Sequence, residues 1–130
     1  MSSPSEDIKD MLLAESDLAL DFAKNLFIGK ETPKPDNIVM IFDYSGRPPQ
    51  ITMDNARYEY PSVQIRVRNN SYPNGWDLAN KIYLSLHGRA SETWNDSLYT
   101  VITCSSIPVF MEWDDNDRAH FIINVNLQRR

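Results

Sequence analysis

The residues of this chain that could do chemistry are one cysteine, two histidines and a run of acids. Cys104 would be a nucleophile only with a histidine beside it, and its place in an apolar stretch favours a buried structural thiol. His87 falls at the end of a predicted helix, where an imidazole faces the negative end of the helix dipole. His120 falls on the polar face of a predicted strand. These three residues give no indication of a catalytic site.

The acidic run Glu112-Trp113-Asp114-Asp115-Asn116-Asp117 resembles the start of an EF-hand calcium loop. Counted from Asp115, the position that needs glycine is His120 and the position that needs glutamate is Asn126, so we predict a solvated turn between two strands. The sequence also has no Gly-x-Gly-x-x-Gly and no Gly-Lys-Ser/Thr element. It therefore predicts no catalytic, cofactor-binding or metal-binding residues.

Length and composition suit a single domain over residues 1–130, with 42% hydrophobic and 24% charged residues. A net charge of −5 argues against general affinity for nucleic acid backbones, although a local basic face is compatible with it. One cysteine excludes an internal disulfide. No apolar run approaches the about 20 residues that cross a bilayer, and the N-terminus is acidic, so we expect a cytoplasmic protein that is neither secreted nor inserted in a membrane.

The most regular stretch is Tyr60–Arg68, in which apolar and polar residues alternate from Val63 onwards, as is typical of a half-buried strand. Val63, Ile65 and Val67 share one face, and Gln64, Arg66 and Arg68 share the other. The stretch Ile38–Phe42 is instead apolar on both faces. It is either a central strand covered on both sides or a strand with one face at a subunit contact.

The remaining patterns predict the other elements. Helices are predicted at Pro4–Glu15, with Ser3 as capping hydroxyl, and at Trp76–Leu86, with Asn74 as cap and Gly88 as left-handed stop. In the second helix the apolar residues that recur at helical spacing are Trp76, Ala79, Ile82, Tyr83 and Leu86. Further strands are predicted at Asn25–Ile28, Asn37–Tyr44, Leu98–Cys104, Val109–Trp113 and His120–Leu127, loops at Gly29–Pro35 and Ser45–Gln50, and a short edge arm at Ile51–Arg57. This order predicts an α+β fold with a mixed, largely antiparallel sheet of about five to six strands and two helices packed on one face.

One basic face can be built, from Arg57, Arg66 and Arg68 near several tyrosines. It is open to three interpretations: a platform for nucleic acid, a solvated sheet face, or a subunit interface that meets acidic residues. The acidity of the chain favours the interface, because arginine pairs well with carboxylates. The predicted interface consists of Arg57, Gln64, Arg66, Arg68, Asp114, Asp115 and Asp117.

Four stretches taken in order resemble a known family: Asn25-Leu26-Phe27-Ile28-Gly29, Ile41-Phe42-Asp43-Tyr44-Ser45-Gly46, Tyr60-Pro61-Ser62-Val63-Gln64-Ile65-Arg66-Val67-Arg68, and Asp114-Asp115-Asn116-Asp117-Arg118. Together they are similar to the small minor capsid, or tail-terminator-like, proteins of long-tailed bacteriophages. The resemblance implies a mixed α+β fold and a structural, non-enzymatic protein. It also implies a hexameric ring that caps the tail tube, stops its polymerisation and helps to join tail to head.

The partners that this resemblance implies are further copies of the chain, the tail tube protein and the head-to-tail connector protein. DNA would pass through the ring without sequence-specific binding, and no membrane is involved. The protein would be assembled in the host bacterial cytoplasm and reside in the tail or neck of the virion. The predicted docking loops carry Lys30, Lys34, Arg47 and Gln50. Alternatives are a head-completion or connector protein at the portal vertex, and a small monomeric binding or regulatory domain.

Overall fold

A computed structural model describes residues 2–51 and 57–130, with Arg47, Pro49, Gln50, Ile51 and Arg57 described by their backbone alone. Within these ranges the chain forms two α-helices, a short 3-10 helix and seven strands. They are α1 (Pro4–Leu13), the 3-10 helix (Ser16–Leu18), β1 (Leu26–Ile28), β2 (Ile38–Ile51), β3 (Arg57–Asn69), α2 (Tyr72–Leu86), β4 (Arg89–Trp94), β5 (Ser97–Cys104), β6 (Val109–Trp113) and β7 (Ala119–Arg129).

The strands form one sheet in the order β1-β2-β3-β7-β5-β4, with β6 also paired to β7. Only the pairing of β1 with β2 is parallel among the described strand pairs. The predicted α+β class and the mixed, largely antiparallel sheet are confirmed. Sequence reasoning missed β4, because Arg89–Trp94 is a polar edge strand with no buried residue to give an apolar alternation.

The core lies between this sheet and both helices. Neighbouring strands β3 and β7 place Val63 beside Val125, Ile65 beside Ile123 and Val67 beside Phe121. These side chains pack in one cluster with the buried stripes of the two helices, so both helices lie on one face as predicted. The helix residues in the cluster are Ile8, Met11, Leu12, Ala79, Ile82 and Leu86. Neither described helix is long and apolar enough to cross a bilayer.

The opposite face of β2 carries a smaller apolar cluster. Phe27, Ile38 and Met40 are buried there and Phe42 packs against them. Met40 is 0% exposed in a single chain. Of the two predicted readings of Ile38–Phe42, the central strand covered on both sides is therefore the one observed.

Side-chain caps fix the helix starts. The Ser3 hydroxyl accepts the Glu6 backbone N–H at 3.2 Å, as its sequence position predicts. The second cap differs from the prediction: Ser71, not Asn74, caps α2, and its hydroxyl accepts the N–H of Asn74. Gly88 has φ +91°, which confirms the left-handed position after this helix.

The predicted loop Ser45–Gln50 is wrong, because β2 continues through it to Ile51. Glycine and two prolines misled the prediction, yet the backbone tolerates them in an irregular ladder whose register shifts between Tyr44 and Gln50. Gly46 is required here, since a Cβ would lie 2.2 Å from the Tyr60 carbonyl oxygen. Most of the predicted edge arm Ile51–Arg57 lies outside the described residues.

A buried polar network joins α1 to the sheet at the end of β7. Asp7 is 0% exposed and accepts hydrogen bonds from the Tyr99 hydroxyl and the Asn95 amide. Arg129 lies 3.5 Å from Asp7 and 3.0 Å from Glu59. Burial, and next the bond to Asp7, raises the pKa of Tyr99 above its ordinary value. This network anchors the start of β3 to the first helix.

Candidate functional site

Cys104 and His87 are close but do not form a nucleophilic pair. The Nδ1 atom of His87 accepts the backbone N–H of Cys104 at 2.9 Å, and its ring stacks on Tyr83. Burial raises the pKa of the Cys104 thiol to about 11, the opposite of what an activated nucleophile requires. The arrangement fits a structural thiol.

Asp114 holds the acidic turn together through hydrogen bonds to residues of the same turn and the strand that follows it. Its Oδ1 accepts the backbone N–H groups of Asn116 and Arg118 at 2.9 and 3.0 Å. Its Oδ2 lies 2.8 Å from Arg118 Nε and 3.0 Å from His120 Nε2. Burial acts to raise the pKa of Asp114, but these hydrogen bonds outweigh it and hold the pKa well below its usual range. Among the described residues no cluster of metal-ligating side chains occurs.

Arg68 is buried, which corrects its predicted place on a subunit interface. Only 1% of the residue is exposed, because the loop of residues 29–37 covers this end of the sheet face. Its Nη2 donates to the Pro35 carbonyl at 2.7 Å and its Nε donates to the Asp36 carbonyl at 3.0 Å. Strand alternation gave the correct face but could not show that a loop lies over it.

Arg118 completes this attachment, and we call Arg68 and Arg118 the arginine clamp. The Nη1 atom of Arg118 donates to the Pro33 carbonyl at 2.9 Å and lies 3.5 Å from Asp36. Burial and the nearby Arg118 charge lower the pKa of Arg68. Because Asp114 binds Arg118, both Arg68 and Asp114 hold the chain's own loop. Asp114 is half-buried, and its place in an interface stays a prediction.

The rest of the predicted interface is distributed along the chain. Arg66 is half-buried, donates to Gln64 at 2.9 Å and lies over the Phe42 ring. Gln64 in turn donates to Asn124 at 3.1 Å. Asp115 and Asp117 are exposed on the turn, while the side chain of Arg57 lies outside the described residues. Pairing of these groups between subunits stays a prediction.

The predicted docking residues fall on two different structures. Lys30 and Lys34 are exposed on the clamped 29–37 loop. Arg47 and Gln50 lie instead in β2, paired with Tyr60 and Tyr58, so their placement on a loop is wrong. They belong to a two-stranded ribbon that we call the arm, residues 44–51 of β2 and 57–62 of β3.

Two clefts flank the base of the arm. The larger, about 560 Å³, is lined by residues including Ser3, Tyr44, Pro48 and Pro61. A second of about 360 Å³ lies between Gly46, Tyr60 and Asn126. Both are open surface depressions without a convergent set of catalytic groups.

Sequence reasoning missed an aromatic patch in which the exposed Tyr72, Trp76 and Trp113 surround the half-buried Phe110. Trp76 is 42% and Trp113 50% exposed, and the Phe110 ring lies 5.3 Å from Tyr72 and 6.1 Å from Trp113. The sequence placed Trp76 on the buried stripe of α2. The stripe in fact starts at Gly75, which lies so close to Phe121 that Trp76 turns outward. The spacing from Gly75 to Ala79 could have indicated this.

Comparisons with known proteins give a family by sequence and a similar fold by structure. Residues 6–129 match the family described as Bacteriophage tail terminator protein. A comparison with curated proteins gave no match. The fold is similar to a chain of a solved structure titled "Virion of native gene transfer agent (GTA) particle", with a TM-score of 0.70, 10% identity, and coverage of 98% of this chain and 94% of the other.

Proposed function

Because the chain belongs to the bacteriophage tail terminator proteins and is thus a structural protein of the virion, we propose that it forms a hexameric ring on the end of the tail tube. The ring ends tube polymerisation and helps to join tail to head. The family match over residues 6–129 carries this proposal. The fold supports it, since its TM-score of 0.70 relates it to a chain of a gene transfer agent virion.

The 29–37 loop suits a docking role. The arginine clamp holds the 29–37 loop through the carbonyls of Pro33, Pro35 and Asp36, so Lys30 and Lys34 are presented on a fixed backbone. A preordered loop loses less conformational entropy on binding than a mobile one. The loop is therefore suited to contact the tail tube protein or the head-to-tail connector protein.

Ring formation needs two unlike contact surfaces on each subunit. We assign a basic surface with Arg57 and Arg66, beside Gln64, and an acidic surface with Asp115 and Asp117. Such a pair of surfaces joins successive subunits head to tail. The net charge of −5 favours a lumen through which DNA passes without being held.

Termination follows from binding at one surface only. A tail tube grows because each ring, once added, exposes a surface like the one to which it bound, and the next ring binds there. A different protein seated on the last ring covers that surface and offers the connector another one. No catalytic step enters this mechanism, in keeping with the structural role of Cys104 and its pKa of about 11.

Electron microscopy of purified protein mixed with tail tubes tests the proposal. We expect rings at one tube end only, and no further elongation of capped tubes when tube protein is added. Binding along the tube wall, or no binding at either end, contradicts the proposal. A phage lacking the protein should make overlong tails; tails of normal length that never join heads would assign it to head completion instead.

A further inference from the structure

The exposed rings of the aromatic patch differ from four other rings of the chain, because no cation of the chain covers them. Each of the four has a lysine or arginine 4.8 to 5.7 Å from its centroid. The pairs are Lys9 on Phe22, Lys30 on Phe27, Arg66 on Phe42 and Arg130 on Tyr58. Among the described residues no lysine or arginine lies over Tyr72, Trp76 or Trp113, although at least 42% of each is exposed. The patch therefore presents uncovered aromatic faces to a partner.

The two tryptophans border one continuous aromatic surface. Trp76 lies about one helical turn after Tyr72 on α2. The Phe110 ring lies 5.3 Å from Tyr72 and 6.1 Å from Trp113, so it links the helix to β6. A contiguous exposed surface of this kind marks an interaction site. Tryptophan is also the aromatic side chain that attracts a cation most strongly.

The segments that carry the patch are acidic. Residues 69–80 and 105–117 contain no lysine, arginine or histidine, and their acids are Asp77, Glu112, Asp114, Asp115 and Asp117. Asp77 directly follows Trp76 and meets Lys81 in an exposed pair at 3.4 Å, which an incoming cation can replace. Glu112 directly precedes Trp113 and is exposed, and no described side chain forms an ion pair with it. The surroundings of the two indoles are therefore negative.

Exposed indoles beside carboxylates favour arginine as the group that binds here. The guanidinium of arginine stacks on aromatic faces and pairs with a carboxylate through two N–H groups. Lysine carries a compact ammonium that holds water more strongly, so it fits this surface less well. An acidic segment or a phosphate backbone would be repelled by the carboxylates.

The patch lies at the end of the sheet that also holds the 29–37 loop. Trp113 of β6 pairs with Ala119 at the start of β7, and Arg118 just before it donates to the Pro33 carbonyl of the loop at 2.9 Å. This loop is the segment that we propose to contact another virion protein. The patch continues that proposed contact, which favours a different protein over a second copy as its occupant. The tail tube protein is the one on which the ring forms.

From these observations we infer that the aromatic patch binds an arginine-bearing segment of the tail tube protein. The guanidinium lies against the indole of Trp76 or Trp113 and pairs with the carboxylate of Asp77 or Glu112. The inference rests on the proposed function for the source of that segment, and on the patch alone for its chemistry.

Binding of a short peptide tests this chemistry without tail tubes. The probe is a capped five-residue peptide of alternating arginine and leucine, and its matched control carries citrulline, the neutral isostere of arginine. In nitrogen-15 spectra the arginine peptide should shift the indole N–H signals of Trp76 and Trp113. The signal of Trp94 is the internal control, because its indole donates to Glu92 at 2.9 Å. Equal shifts with the citrulline peptide overturn the inference.

Two double variants separate cation binding from apolar contact. Trp76→Leu with Trp113→Leu keeps apolar side chains but removes the aromatic faces, so it should weaken binding of the arginine peptide at least tenfold. Trp76→Phe with Trp113→Phe keeps aromatic faces and should weaken binding by about threefold or less. Backbone amide shifts measure both affinities, and circular dichroism checks folding. Equal peptide affinities of the two folded variants overturn the inference.

Tail tubes separate this inference from the proposed function. The double leucine variant should cap at least tenfold fewer tubes than the double phenylalanine variant, counted in electron micrographs. Normal capping by the folded leucine variant overturns the inference and leaves the proposed function in place. Loss of self-association by that variant in sedimentation without tubes makes a second copy the occupant, which also overturns it. If wild-type protein caps no tubes, the proposed function fails, while selective binding of the arginine peptide still supports the site.

Discussion

The guanidinium of Arg68 donates to the carbonyl oxygen of Pro35 at 2.7 Å, across 33 positions of sequence. A strand arginine thus holds the backbone of a loop that covers it. Arg118 does the same at Pro33, and Asp114 holds Arg118 in place. The exposed lysines of the loop owe their position to side chains that are themselves hidden. This relationship separates residues that build the docking loop from residues that can touch a partner.

Arg68→Ala should destabilise the fold by about 2–3 kcal/mol, because it removes buried charged hydrogen bonds and leaves the loop carbonyls without their donor. Urea denaturation gives this value, and hydrogen exchange should show faster exchange in residues 30–36. Arg66→Ala is the control, since Arg66 is half-buried and its loss should cost less than about 1 kcal/mol. An equal loss of unfolding free energy in both variants would argue against the arginine clamp.

Asp114 makes stability depend on acid pH. Its pKa is lowered in the folded chain, so its contribution is complete above the unfolded pKa of about 3.9. Below that pH the unfolded chain binds the proton first, and stability falls as pH drops toward the folded pKa. Asp114→Asn should reduce the difference in unfolding free energy between about pH 6 and about pH 3. Asp115→Asn should not, and parallel pH profiles for wild type and Asp114→Asn would refute this role.

Gly75→Ala should destabilise the fold by about 1–2 kcal/mol, despite the better helix propensity of alanine. A Cβ at this position would lie 2.7 Å from the ring of Phe121, which is 0% exposed and cannot move aside. Asp77→Ala on the exposed face of α2 is the control, with an expected change below about 0.5 kcal/mol. Thermal unfolding measures both; a stabilised Gly75→Ala protein would show that α2 can shift away from β7.

Arg66→Glu should weaken ring assembly if Arg66 faces the acidic turn of a neighbouring subunit. Light scattering of protein mixed with tail tubes should show less assembly. The loss of assembly should be larger at low salt, where charge repulsion is less screened. Asp115→Lys with Asp117→Lys should restore assembly when combined with Arg66→Glu. An unchanged assembly of the Arg66→Glu protein would remove Arg66 from the interface.

The apolar patterns of the chain were sufficient for most of the fold. Alternation at Val63, Ile65 and Val67 identified the buried face of β3, and helical spacing identified α1 and α2. Each of these elements buries one face, so its apolar residues recur at the spacing of a helix or a strand within one short segment. β4 was not predicted, because an edge strand with little buried surface shows no apolar alternation in its sequence.

The sequence by itself determined the α+β class, the buried face of β3 and, through the resemblance, the family. Only the tertiary structure decided which polar residues remain on the surface. Arg68 and Asp114 have the side chains of an interface, but contacts with residues far along the chain bury the first and engage the second. The exposure of Trp76 likewise depends on the close approach of Gly75 to Phe121. Long-range packing leaves no periodic trace in sequence, because it joins positions whose spacing is set by the whole fold.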